Sequence, residues 1–60
     1  MLSNIVQATP TAELTARLEV ESATMNSTPA DSPDHRNALR WHEAISAELW
    51  YRNARFRVAH

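Results

Sequence analysis

Apolar positions recur with helical rhythm in two separate stretches of the chain. In the second half, Ala38, His42, Ile45, Leu49, Arg52, Phe56 and Ala59 follow one another in alternating steps of four and three. That is the spacing of a heptad seam on one helix. Trp41 flanks this seam beside Ala38 and Ile45. In the first half a shorter run of the same kind passes through Thr11, Leu14, Leu18, Glu21 and Met25. Leu14, Leu18 and Met25 fall within about 40° of one another on a helical projection, and Glu21 interrupts their stripe at its edge. Ala12, Ala16, Val20 and Ala23 form a second stripe of small residues on another side.

Punctuation residues set the boundaries. Thr9 is a good N-cap and Pro10 suits the first helical position, so the first helix is expected over about 10–26. The polar segment NSTPADSPD holds two of the three prolines and several capping residues, placing a loop at about 27–32. Ser32-Pro33-Asp34 is the stronger start signal: a serine cap, proline at the first position and an acid in the first turn. The second helix is expected over about 33–58. There is no glycine, which disfavours tight hairpins, phosphate-cradling loops and a β fold.

The fold expected is therefore all-α, an antiparallel helical hairpin in one domain spanning 1–60. Its short loop makes the helices neighbours. In that register Met25 lies near His35 and Ala38, Leu18 near His42 and Ile45, and Leu14 near Leu49. Residues 1–9 form an N-terminal arm, read as strand-like or a single turn, with Leu2, Ile5 and Val6 covering Phe56. A chain of 60 residues buries only about 60% of its unfolded surface, and two helices share one seam. Dimerisation into a four-helix bundle is the expected remedy, through the long helices' seams and the small-residue stripe. The seam and oligomer residues are then Leu14, Leu18, Met25, Ala38, His42, Ile45, Leu49, Arg52 and Phe56.

Composition narrows this further. Without cysteine there is neither a disulfide nor a Cys-based zinc site. The net charge is −1, with mean hydropathy of −0.48, yet it is split. Residues 1–34 carry five acids against Arg17, and residues 35–60 carry five arginines against Glu43 and Glu48. Such halves can complement each other within one chain or between two. No apolar run reaches the length of a membrane span, and the start lacks the basic region of a secretory signal. A cytoplasmic protein is expected. All six cations are arginine and ten residues are alanine, which suits a GC-rich genome and a small bacterial or phage accessory protein.

Candidate chemistry is sparse. HEAIS begins like a zinc-protease motif, but Ser46 stands where the second histidine belongs. His42 is instead expected to bond across the seam to Glu21. Ser46 and His42 are four apart, yet a hairpin offers no water-excluded pocket for a catalytic pair. No enzyme activity, cofactor or metal is expected. Trp50 and Tyr51 point away from the seam in different directions, and Trp, Tyr and Arg are enriched at binding hot spots. Trp41, Trp50, Tyr51, Arg55 and Arg57 are the candidate partner-interface residues. The function expected is a non-enzymatic protein–protein interaction module, binding itself or a larger host protein as adaptor, inhibitor or assembly factor. A nucleic-acid-binding hairpin using the C-terminal arginines and aromatics, or a small structural subunit of a larger complex, are the alternatives. Net negative charge speaks against nucleic acid. Arg55 and Arg57 are also where the helix dipole favours cations, and Glu48–Arg52 is a favourable i,i+4 pair.

Overall fold

The computed structural model describes residues 2–58, with side chains from Leu2 to Ala54. Among these residues the chain is all-helical: α1 spans Leu2–Ala8, α2 Thr11–Ser27 and α3 Pro33–Val58. α2 and α3 form the hairpin, and α1 packs on α3. The whole measures 42 × 22 × 16 Å.

The start of α3 follows its residue types. The Ser32 hydroxyl oxygen accepts the His35 backbone N–H at 3.1 Å, satisfying an amide that the helix leaves without a partner. The same hydroxyl donates to the Pro29 carbonyl at 2.8 Å, and the Ser32 N–H closes the turn onto that carbonyl at 3.0 Å. The loop is thus tied down by one serine. Ser32→Ala is expected to cost about 1 kcal/mol, read as a drop of several degrees in the circular-dichroism melt. Ser32→Asp, which keeps the acceptor, should recover most of it.

The seam packs as its spacing predicts. Ala38 and Ile45 are buried, as is Leu14 on the facing helix. Leu18, Trp41, Ala44 and Leu49 pack around Leu14 and Ile45 as half-buried neighbours. Phe56 lies outside the residues whose side chains are described.

Residues 2–9 depart from expectation. They form neither a strand nor a single turn but a seven-residue helix. Its Val6 joins Leu14 and Ile45 in the core, with Leu2 beside them. Thr9 does not cap α2. Its hydroxyl turns back to donate to the Ile5 carbonyl at 2.7 Å, ending α1. Pro10 therefore occupies the N-cap of α2 in an extended conformation, and its carbonyl accepts the Leu14 N–H at 3.0 Å.

Arg52 explains why so short a helix docks there. A seven-residue helix is unstable in isolation, and its last carbonyls lack intrahelical partners. The Arg52 guanidinium donates to the carbonyls of Val6 and Gln7, both at 3.3 Å, and of Thr9 at 2.8 Å. It also donates to the Thr11 hydroxyl at 2.8 Å and to Glu48 at 2.7 Å. A cation sits where the α1 dipole is negative, and its planar fork matches several acceptors at once. The seam position of Arg52 is thus used inside the chain rather than toward a carboxylate of another helix.

Glu21 is also corrected. It is buried at 6% exposure, inside the seam rather than at its edge. Its carboxylate pairs with Arg17 Nε rather than with His42. The Arg17 guanidinium in turn lies 4.1 Å above the centre of the Trp41 ring. Arg17 therefore pairs forward to Glu21, not back to Glu13, because a cation over the indole face and beside Glu21 satisfies two attractions together. Among the described residues, every buried side-chain nitrogen or oxygen has a partner.

Candidate functional site

The two broad sides of the α2–α3 hairpin are unlike. On one side α1 lies against Ala44, Ala47 and Glu48, through Ser3, Val6 and Gln7. Farther along this side a shallow groove runs between Ile5, Glu13, Arg17 and Trp41. Trp41 is half-buried beneath Arg17, so this candidate interface residue serves the fold.

Among the described residues, no helix lies over the opposite side. With about 100° per residue, Ser46, Leu39 and Trp50 project roughly 80–120° from the α3 seam, whereas Ala44 and Glu48 project a similar angle the other way. The same side of α2 carries Thr15, Leu18, Ser22 and Met25. Leu18, Ser22, Met25, His42, Ser46 and Leu49 are half-buried there, forming a shallow floor. Leu39 and Trp50 stand at its outer edge, exposed by 37% and 71%. None of these nine residues is an Asp, Glu or Arg. Glu19, Arg36 and Glu43, all exposed, mark the rim. An uncharged centre with a polar rim is the compositional pattern of a protein interface.

The three candidate interface residues whose side chains are described are not brought together. Trp41 and Trp50, nine residues apart, point to opposite sides of α3, about 180° from each other. Tyr51, at 53% exposure, points a third way. The side chains of Arg55 and Arg57 lie outside the described residues. The open face also includes Leu39, Ser46 and Ser22. A signal for them was present: every charge on α3 between His35 and Ala54 avoids the stripe through Leu39, His42, Ser46 and Leu49.

No family model, no curated protein and no solved structure matches the chain. Among the described residues, no three His, Asp or Glu side chains are placed to hold a metal ion, and no helix is long and apolar enough to cross a membrane.

Proposed function

We propose that the protein is a protein–protein interaction module without chemistry of its own, working through the open side of its helical hairpin. The observation that supports this is Trp50, a large ring exposed by 71% at the edge of an uncharged face. Tryptophan is among the side chains most enriched at binding hot spots, and exposed apolar patches mark interaction surfaces. The nucleic-acid reading has less support, because Arg52 is engaged with the carbonyls of α1.

The test is sedimentation of the chain in extract of its native host, alone and as Trp50→Ala. Wild-type chain should travel in a complex larger than one copy, and W50A should fall back toward the mass of a single chain. The helical signal of the variant should be unchanged, since an exposed side chain away from core contacts alters the stability of the single chain by less than about 0.5 kcal/mol. A complex that survives W50A, or wild-type chain at single-copy mass throughout, overturns the proposal.

A further inference from the structure

We infer that the open face takes a second copy of this chain, giving a two-fold dimer with α2 and α3 of each copy in the centre and α1 on the outside. The inference rests on the interaction-module reading and names its partner.

Three observations carry it. The first is surface. A compact monomer of 6.8 kDa exposes roughly 3,950 Å², whereas this chain exposes 4569 Å². The surplus is roughly 600 Å², close to the ~800 Å² that each partner gives to a standard interface. The radius of gyration agrees: it is 12.7 Å, against roughly 10.4 Å for a compact domain of this length. One more layer of helices on the open side would make the assembly more compact.

The second is charge. A two-fold contact is self-complementary, so every group on it meets the same patch of the other copy. A charge near the two-fold axis then faces its own like charge, at a cost. A face lacking Asp, Glu and Arg from its Thr15 edge to its Trp50 edge meets its own image without that cost. The charged residues of the chain lie at its rim, on the α1 side, in the loop or beyond Ala54.

The third is relief. Ser22 and Ser46 are small and half-buried, whereas Leu39 and Trp50 are large and exposed. A face with both low and high positions can interlock with its own copy, as knobs into holes do. The small-residue stripe of α2 does not take this role. Ala12, Ala16, Val20 and Ala23 lie on the far side of α2 from α3 and are exposed, where they are continuous with neither the core nor Trp50. The α3 seam does not take it either, because Ala38 and Ile45 are already buried within one copy.

The test is sedimentation equilibrium of the purified full chain over a wide concentration range, for wild type, Ser46→Arg, Ser22→Arg and Ala16→Arg. Wild type and A16R should be dimers. S46R and S22R should be monomers with at least a hundredfold weaker association, while circular dichroism still shows a helical chain. Monomeric wild type at the highest concentration overturns the inference, as does a dimer that tolerates both S46R and S22R. Should S46R or S22R fail to fold, Leu39→Glu, at an exposed position, reads the same face. The two proposals fail separately. If wild type is monomeric alone but sediments in a Trp50-dependent complex in extract, the second copy is excluded and the interaction reading stands. If it is monomeric in both, neither stands.

Discussion

Replacing Arg52 by Met should release the first helix and lower stability by about 2–3 kcal/mol. Methionine keeps a stem for packing but removes every donor of the guanidinium. Hydrogen bonds from a charged group contribute about 1.5–3 kcal/mol each. The five acceptors here share one partly exposed cation, so the total falls well short of their sum. The loss should be local first. Amide exchange in Leu2–Ala8 should accelerate at least tenfold while the amides around Ile45 stay protected up to global unfolding. Arg52→Lys should restore only part, because one ammonium in the place of Nη2 can reach the carbonyls of Val6, Gln7 and Thr9 but leaves the Thr11 hydroxyl and Glu48, which Nη1 and Nε bond, without their donors. Unchanged exchange in α1 for the Met variant would show that Val6 and Leu2 hold the helix without the cation.

Ile45→Ala should have the larger effect. Ile45 has 0% exposure and meets side chains from both other helices. Truncating a buried isoleucine costs about 2–5 kcal/mol. Stability of a chain this size is on the order of 3–9 kcal/mol by the usual per-residue range. The substitution should therefore leave a loosely packed or unfolded chain at 25 °C, seen as a broad, non-cooperative urea transition. Val20→Ala is the matching control. Val20 is exposed by 59% on the far side of α2, and its truncation should shift the transition by less than about 0.5 kcal/mol. Equal effects of the two substitutions would mean that the core lies elsewhere.

Where sequence reasoning worked, the deciding forces were local or periodic. The start of α3 was legible because serine, proline and aspartate each act within one turn of themselves. The seam was legible because Ala38 and Ile45 recur at a period that only a helix turns into a stripe. What was missed depended on distant groups. Leu2 and Val6 are spaced for one helical face, but two residues make no pattern, and the helix is completed by Arg52. Thr9 offers a hydroxyl that suits either the start of one helix or the end of another, and docking of α1 decided between them. Arg17 has acids four residues to either side, and the pairing rule for isolated helices favours Glu13. Trp41, twenty-four positions along the chain, tipped it to Glu21. The open face was partly legible: Trp50 was identified from its direction, but the uncharged floor next to it needed the position of α1 to become a side of its own.

The clasp around α1 also orders events in time. The carbonyls of Val6, Gln7 and Thr9 are synthesised before the residue that satisfies them, which follows 43 to 46 positions later. Until Arg52 emerges and α3 folds back on α2, those groups lack its guanidinium, and seven residues cannot hold a helix alone. Closing so long a loop is slow relative to forming local turns. Of the three helices the first made is thus the last to be set in place, and in the nascent chain Val6 and Leu2 stay accessible to chaperones after the hairpin behind them has closed.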